Sequence, residues 1–418
     1  MSAAVSRPHR TILANLISDV MAEHPTAAYR RAMAAVTPRK LWQALPGDCV
    51  VTLAPITPAF RDYVQRTIGL DVDQVDVIAP SEVVGVHALD VAAERGVLDH
   101  IATRPELAPF VLDQPVLTFA RRNGIRVLPY IALPDRSAVD AVLAINTKDF
   151  FRRIAATLGL PIAEGGHAAT PQALTAALTA FLTDHPAAII KRNRGSNGFG
   201  NTVVRADDPR SVAEQVEAAI DGQPAPSGWV YEQFLDFTAL PSIEMIIGED
   251  GPQDFYTCDQ VTVNNAWTGM VTPAADCGLG DDLAKAAATI GGWLFDRGYR
   301  GVFDVDCGVF DTGFVLSESN VRRTGGSYLH ELARAVAPES ATTLHWRADA
   351  RVGSSNLDFS TAVDRLDRAG LTQADAVRTV LTADTLAIDG KRRYLVVGQD
   401  PDTVAEVEAA VVRELGID

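Results

Sequence analysis

Short runs of apolar residues alternate with longer amphipathic stretches from residue 48 onward. The short runs predict buried strands and the stretches between them predict helices, an alternation typical of an α/β domain. Thr57 followed by Pro58 is a helix start, and the helix that it opens is expected to end near Gly69. The strands predicted in this part of the chain are 49–54, 75–79, 115–118 and 125–129.

A second unit of the same kind begins near Asn146. Residues 149–158 predict a helix that Gly159 ends, and Thr170 with Pro171 repeats the cap-and-proline start of a helix running to about residue 184. The segment before both units, 1–44, predicts a helical arm. We therefore expect an arm, then an α/β domain at 45–145, and then the second unit.

A glycine-rich loop, 194–201, lies between a predicted strand at 187–191 and another at 202–205. Phosphate-binding loops of the P-loop and Rossmann types place their glycines between a strand and a helix. The loop also lacks the Gly-Lys-Ser/Thr ending of a P-loop. A strand-loop-strand hairpin is predicted instead, and both of those nucleotide folds are disfavoured.

The rest of the chain continues the mixture of strands and helices without an internal repeat or a low-complexity segment. A helix is predicted at 282–297, and the chain is expected to end with a helix that reaches residue 415. The predicted strands are 229–234, 242–247, 255–262, 301–310, 314–319 and 394–397.

Composition narrows the class of partner. Lys and Arg number 37 against 53 Asp and Glu, so the formal charge is 37 − 53 = −16, which disfavours nucleic acid. The four cysteines are widely spaced, without a zinc or disulfide pattern. Neither a signal peptide nor a run of about 18 apolar residues is visible, so we expect a cytoplasmic protein with no membrane partner.

An acidic hairpin is the strongest local grouping of chemical side chains. A tight turn at 311–313 folds two apolar runs together, and Phe310 is expected to face Phe314 across a three-residue loop. That register sets Asp306 opposite Glu318. By the same pairing, residues 304 and 320 are also opposite each other.

The four polar side chains of this hairpin, Asp304, Asp306, Glu318 and Asn320, then share one face of the sheet. Cross-strand neighbours are about 5 Å apart, and carboxylates at that distance repel unless a cation intervenes. Oxygen ligands suit Mg²⁺ or Mn²⁺ rather than zinc. The alternative is a solvated polar face, although the following residues 322–326, Arg-Arg-Thr-Gly-Gly, suit phosphate.

The glycine-rich loop has two lysines near it. Lys191 ends the incoming strand and Lys148 opens an earlier helix, so with the acidic hairpin they form a plausible clamp for a magnesium nucleotide. The alternatives are an ordinary flexible hairpin and a surface lysine at 148. Glu232 and the backbone of Phe234 or Leu235, where another strand ends, are candidates for an adenine edge.

Taken in chain order, these pieces resemble an ATP-grasp ligase over about 146–330. Upstream, the segments 50–55, 68–70, 145–148 and 158–161 resemble the subgroup with a pre-ATP-grasp domain. Asp259-Gln260, Gly269, Pro273 and the 325–327 ending are similar to peptide ligases of the pheganomycin type. The resemblance departs from the family at Asp304, where glycine is common, and after Gly326, where Ser-Tyr-Leu-His replaces the Thr-Thr-His type.

The resemblance implies an α/β (α+β) fold, an ATP-grasp fold with an N-terminal α/β pre-ATP-grasp domain. It divides the remaining chain into a nucleotide-binding subdomain at 146–235, a metal and catalytic subdomain at 236–350 and a C-terminal α/β extension at 351–418. It also implies small-molecule carboxylate and amine substrates and allows a homodimer.

Roles carried over from the resemblance fall on matching positions only. Nucleotide contacts are implied for Lys148, Lys191, the lid residues Ser196, Asn197, Gly198, Phe199 and Gly200, the hinge residues Glu232, Gln233, Phe234 and Leu235, and Glu244. Two Mg²⁺ ions, or Mn²⁺, are implied at Asp306, Glu318 and Asn320, and the implied catalytic residues are Arg322 and Arg323.

The implied activity is ATP-dependent ligation of a carboxylate to an amine through an acyl phosphate, releasing ADP and phosphate, on amino-acid-like substrates of natural-product biosynthesis. Two alternatives are an ATP-grasp kinase or phosphotransferase and a catalytically silent ATP-binding regulator. The intact set Asp306, Glu318 and Asn320 argues against the silent regulator. Both remaining classes release ADP, so only the product separates them.

Overall fold

The first sheet has five parallel strands in the order β3-β2-β1-β4-β5. The computed structural model describes residues 7–195, 201–220, 225–263, 266–337, 344–354, 357–374 and 376–417. The strands of this sheet and the helices around it are β1 Arg10–Leu13, α1 Ala27–Ala35, β2 Cys49–Val51, α2 Pro58–Ile68, β3 Asp76–Ile78, α3 Ala88–Glu94, α4 Leu98–Ile101, β4 Glu106–Pro109, α5 Gln114–Asn123, β5 Arg126–Val127 and α6 Arg136–Ile145.

The N-terminal segment corrects the prediction of a helical arm. Helix α1 and a 3-10 helix, Thr37–Gln43, do form there, but β1 is the central strand of the sheet. It pairs with β2 on one side and β4 on the other, and Thr11 to Leu13 are buried. Four residues covered on both faces have no alternation for a sequence pattern to detect.

The predicted strand at 115–118 is wrong, because these residues lie in α5. Asp113 caps the helix by accepting a hydrogen bond from the Val116 N–H, Pro115 lies in the first turn, and Gly124 ends it with φ 65°. The apolar run 115–118 is too short for its pattern to distinguish a buried strand from part of a helix. The predicted start of α2 is confirmed, since the Thr57 hydroxyl oxygen accepts a hydrogen bond from the Phe60 N–H.

A smaller antiparallel sheet follows, with the order β6-β9-β7-β8. The predicted hairpin is confirmed by the pairing of β7 with β8, and the predicted cap by Thr170, which accepts from the Ala173 N–H. The elements of this unit are α7 Lys148–Thr157, β6 Gly165–Ala168, α8 Pro171–Phe181, β7 Ala187–Arg192, β8 Thr202–Arg205, α9 Val212–Ile220 and β9 Trp229–Gln233.

The third sheet has nine strands in the order β14-β13-β10-β11-β12-β15-β18-β17-β16. Strands β12, β15, β16 and β17 escaped prediction, and the last three continue the sheet that carries the acidic hairpin. Its elements are β10 Pro241–Gly248, β11 Gly251–Val263, β12 Ala266–Thr272, α10 Gly280–Asp296, β13 Gly301–Phe310, β14 Gly313–Asn320, α11 Ser327–Val336, β15 His345–Val352, α12 Phe359–Arg368, β16 Gln373–Ala374, β17 Val377–Leu381, α13 Leu386–Asp389, β18 Lys391–Gly398 and α14 Pro401–Glu414.

Apolar packing joins the first sheet to the third. One buried cluster runs from Leu13 and Val51 to Ile290 and Phe303, and a second runs from Trp42 and the α2 side chains to β18. A small third cluster belongs to the four-stranded sheet alone. The smaller sheet therefore shares less core with the rest than the other two sheets share with each other.

None of the described helices combines the length and the apolar character that crossing a membrane requires.

Trp42 connects the first domain to the C-terminal strands. Its ring packs edge-on against Phe60 and Tyr63, with centroids 5.8 and 6.0 Å away. Its indole N–H donates to the carbonyl of Thr382 at 2.9 Å. Because both groups are buried, removing the donor leaves the carbonyl without its partner.

We expect Trp42→Phe to lower the free energy of unfolding by about 1–3 kcal/mol, through the unpaired carbonyl. Chemical unfolding followed by circular dichroism measures this. Trp293→Phe is the matched control, since the indole N–H of Trp293 makes no hydrogen bond within the described chain. Equal stability of Trp42→Phe and the wild type would show that the bond contributes nothing.

Candidate active site

The acidic hairpin has the predicted pairing, but for a different reason. Asp306 is opposite Glu318, and residues 304 and 320 also pair as predicted. However, Phe310 faces Gly313 rather than Phe314, so the turn is one residue tighter than expected. A bulge at Ser317 adds the missing residue and restores the register.

The bulge also directs a side chain. Ser317 accepts a hydrogen bond from Lys191 Nζ at 3.1 Å, which ties β14 to β7 of the smaller sheet. On the neighbouring residue, Glu318 forms an ion pair with Lys148, and Lys148 Nζ also donates to the carbonyl of Gly195 at 3.2 Å. Lys148 is therefore a buried side chain of the site, not a surface lysine.

Glu232 lies between two cations. Lys191 Nζ is 2.6 Å from its Oε2, and Arg152 bonds its Oε1. Burial raises the pKa of this carboxyl, but Lys191 and then Arg152 outweigh that effect and hold the pKa below its usual value. Arg152 belongs to no motif that the sequence shows; its one signal is a spacing of four residues from Lys148 on α7.

This pairing bears on the role expected for Glu232. Its carboxylate is bound by Arg152 and Lys191, and its contact with an adenine edge stays a prediction. In the hinge, the Phe234 N–H donates to the Ala187 carbonyl at 3.1 Å and is also committed. Among the described residues, no hydrogen bond uses the N–H of Leu235, which leaves that group as the hinge donor.

A first cleft lies between the smaller sheet and the nine-stranded sheet. Its lining combines apolar side chains from both sheets with the two lysines and the hinge, including Gln233. The lid residues Ser196, Asn197, Gly198, Phe199 and Gly200 lie outside the described part of the chain. Their flanking residues, Gly195 and Asn201, line the cleft.

A second pocket adjoins the first cleft. Both cavities share Gln260, Trp267, Asp306 and Glu318 in their linings. The second pocket extends from there to Asp304, Asn320, Arg322 and the Gly325-Gly326 turn. The acidic hairpin therefore stands at the junction of the two cavities.

Glu244 lines the second pocket and not the first cleft, and its implied contact with the nucleotide stays a prediction. Tyr256 Oη donates to its Oε1 at 2.9 Å, and the Thr324 hydroxyl donates to the same oxygen. Burial raises the pKa of Glu244 to about 7.

The two candidate catalytic arginines lie in different surroundings. Arg322 is buried in the second pocket and donates to Asn320 Oδ1 at 2.6 Å. Arg323 contacts Glu331 at 2.8 Å and lies in the lining of neither cavity. Of the two, only Arg322 lines either cavity, and a catalytic role for each arginine stays a prediction.

The junction gathers carboxyl groups that oppose one another's ionisation. Burial raises the pKa of Asp304 to about 8, with the nearby Glu244 as the next cause. Burial, followed by Asp304 and Glu318, raises the pKa of Asp306 well above its usual range. Glu318 differs: burial opposes its ionisation, but Lys148 lowers its pKa overall.

The oxygen-rich set Asp306, Glu318 and Asn320 has the ligand chemistry that Mg²⁺ prefers. Within the described residues, no group of three or more His, Cys, Asp or Glu side chains has the geometry of a metal centre. Protein donors occupy the same oxygens: Gln260 donates to Asp306 at 2.8 Å, and Lys148 pairs with Glu318. Buried, mutually repelling carboxylates neutralised by donors fit a divalent cation in charge and in ligand type.

Because Glu232 is ionised between two buried cations, we expect Glu232→Gln to destabilise the protein by about 3–5 kcal/mol at pH 7. The pKa of Glu232 is lower in the folded protein than in the unfolded chain, where it is about 4.3. The wild type therefore has this stabilisation at pH values above the unfolded-state pKa and loses it as the pH falls through the folded-state pKa. The gap between the two proteins should therefore narrow in acid. Unfolding at several pH values tests this, with the exposed Glu217→Gln as control; a gap independent of pH would contradict it.

Comparison with known proteins addresses the fold. A family model described as the pre-ATP-grasp domain matches residues 37–125. No curated protein sequence gave a significant match.

Solved structures resemble most of the chain at low sequence identity. Biotin carboxylase of Campylobacter jejuni has a TM-score of 0.65 at 14% identity, over 98% of this chain and 91% of that one. N5-carboxyaminoimidazole ribonucleotide synthetase of Thermus thermophilus has a TM-score of 0.58 at 14% identity, over 92% and 97%. The biotin carboxylase domain dimer of 2-oxoglutarate carboxylase from Hydrogenobacter thermophilus, crystallised with MgADP, ADP and bicarbonate, has a TM-score of 0.62 at 11% identity, over 98% and 90%.

These matches agree with the observed sheets, and the predicted fold class is confirmed. Similarity to pheganomycin-type ligases stays a prediction, as does a homodimer. The chain has the ATP-grasp fold, with a pre-ATP-grasp domain at its N-terminal end.

Proposed function

We propose that the protein is an ATP-dependent carboxylate-amine ligase that releases ADP and phosphate. The observation that carries this proposal is the meeting of two cavities at Asp306 and Glu318. One cavity has the lining of a nucleotide site, and the other can hold reacting groups next to Arg322. Phosphoryl transfer across the junction needs this arrangement, because donor and acceptor must meet in line.

ATP occupies the first cleft in this proposal. The apolar side chains Ala163, Ile189 and Leu316 suit a planar base, and the N–H of Leu235 donates to its edge. Lys148 and Lys191 face the phosphates. Both lysines are already held by buried carboxylates, so their positions are set before the nucleotide binds.

Asp306, Glu318 and Asn320 would hold the divalent metal, Mg²⁺ or Mn²⁺. When bound, the metal neutralises charge between the terminal phosphates. Lys148, paired with Glu318, would lie beside the metal and donate a remaining N–H to a phosphate oxygen. Arg322 is hydrogen-bonded to Asn320 and lines the second pocket, where the transferred group would arrive.

The chemistry then has two steps. A carboxylate oxygen of the first substrate attacks the γ-phosphorus, the bond to the ADP oxygen breaks, and an acyl phosphate forms. The amine nitrogen of the second substrate attacks the acyl carbon; the C–N bond forms, and phosphate leaves with the electrons of the broken C–O bond. The nitrogen loses its proton to phosphate or water, and Arg322 stabilises the oxyanion between these events.

Amino-acid-like substrates and a role in natural-product assembly form the finer part of the proposal. The resemblance at Asp259-Gln260, Gly269 and Pro273 supports it. Gln260 lies at the junction of the two cavities and Gly269 lies against β15, where a Cβ atom would meet the Ala348 carbonyl at 2.1 Å. Of these positions, Gln260 lines the site that the substrates would share.

Glu318→Gln should reduce ADP formation by at least about 100-fold. Mutation of a residue that only holds a metal ligand in place already lowers activity by about 10–100-fold, and loss of a direct ligand should lower it further. A coupled ADP assay measures this. Asp311→Asn is the control: it removes a carboxylate from the exposed turn of the same hairpin and should retain full activity. Normal turnover by a folded Glu318→Gln protein would remove Glu318 from the metal site.

The product class separates a ligase from a kinase. With ATP, Mg²⁺ and a panel of amino acids and small carboxylates, we expect ADP and phosphate without AMP, because the acidic junction and Arg322 address the terminal phosphate. Hydroxylamine should trap the acyl phosphate as a hydroxamate, detected by mass spectrometry. Stoichiometric AMP, or a stable phosphorylated alcohol, would refute the ligase.

A further inference from the structure

Glu244 has one carboxylate oxygen that the proposed machinery does not use. The side chain is 2% exposed, and Tyr256 and Thr324 both donate to its Oε1. The other oxygen, Oε2, has no partner in the described part of the chain. An unpaired buried oxygen is costly, so a ligand that donates a hydrogen bond would complete it.

The position of Glu244 separates it from the phosphate side of the pocket. It lies on β10, with β13 between it and β14, which carries Glu318 and Asn320. Two strand spacings are about 10 Å. The backbone of Glu244 is therefore far from two of the three proposed metal ligands, which favours a ligand other than the metal ion.

The charge around this oxygen selects the kind of donor. The lining of the second pocket includes Glu244, Asp304, Asp306 and Glu318 against one guanidinium, that of Arg322. A cation bound beside Glu244 would favour ionisation of these carboxyl groups, so this end of the pocket suits a cation, while the guanidinium of Arg322 serves the carboxylate substrate. An ammonium group provides both the positive charge and the N–H donors.

The walls nearby are apolar and close to the backbone. Met270 and Trp267 line the pocket, and a Cβ atom at Gly325 would lie 3.3 Å from the indole ring of Trp267. At Gly326 a Cβ atom would meet the Tyr256 hydroxyl at 2.2 Å and the Met270 sulfur at 2.7 Å. The two glycines keep this end of the pocket open beside an apolar surface.

We propose that Glu244 binds the ammonium group of the amine substrate, with the apolar part of that substrate against Trp267 and Met270. The inference rests on the proposed ligase function and names the chemistry of its second substrate: a primary amine on an apolar frame. Glu244 holds the nitrogen on the β10 side of the pocket. The ammonium gives one proton to water before its lone pair attacks the acyl carbon, and the second proton leaves after the C–N bond has formed.

Binding of simple probes tests this without turnover. Calorimetry with L-leucinamide, which has the amine, and N-acetyl-L-leucinamide, which lacks it, should show binding of the first probe only. Glu244→Gln should weaken L-leucinamide binding at least about tenfold, as expected for loss of a charge-assisted bond. Glu249→Gln is the matched control: it lies just after the same strand, half exposed and outside the pocket lining, and should bind as the wild type does.

Thermal unfolding confirms that Glu244→Gln is folded, and Mn²⁺ binding without nucleotide provides an independent readout. Equal affinity of Glu244→Gln and wild type for L-leucinamide overturns the inference. Absence of L-leucinamide binding to the wild type, or preference for the acetylated probe, also overturns it. Loss of Mn²⁺ binding in Glu244→Gln, with L-leucinamide binding intact, would assign Glu244 to the metal site instead. ADP release and hydroxamate trapping test the ligase function without these probes. The ligase function and the role of Glu244 in binding the ammonium group can therefore be refuted separately.

Discussion

A cluster of buried carboxyl groups on three adjacent strands is the constraint on which the site depends. Asp304, Asp306, Glu318 and Glu244 lie on β13, β14 and β10, and none of them is fully solvated. Burial and mutual repulsion raise the pKa values of the first two and of Glu244. Such a cluster persists only where cations and hydrogen-bond donors are placed against it.

Those donors also join the domains. Lys148 comes from α7, Lys191 from the smaller sheet, and Arg322 from the segment after β14. The smaller sheet shares little apolar core with the rest of the molecule. Its attachment near the site therefore includes the contacts of Lys148 with Glu318 and of Lys191 with Ser317, so the groups expected to bind phosphate also hold the cleft together.

The same contacts explain why one hairpin can serve two cavities. The tight turn and the bulge at Ser317 present Ser317 to Lys191 and keep Glu318 opposite Asp306. Side chains of the hairpin then line both the first cleft and the second pocket. A regular hairpin with the same turn would shift the pairing by one residue and turn Glu318 to the other face.

The sequence by itself determined the features that depend on neighbours along the chain. Helix starts at Thr57 and Thr170 need only a cap and a proline, and the β7–β8 and β13–β14 hairpins need only two apolar runs and a turn. The acidic face followed from period-two alternation. The order of the motifs then led to the fold class.

Tertiary structure decided what depends on distant partners. Strand β1 is defined by the strands on either side of it, Arg152 matters because Glu232 is folded against it, and Arg323 is directed away by Glu331. Glu244 lies in the second pocket because β10 pairs with β13. Each of these outcomes depends on which long-range neighbour supplies the charge, the donor or the adjacent strand, and local spacing carries no record of that neighbour.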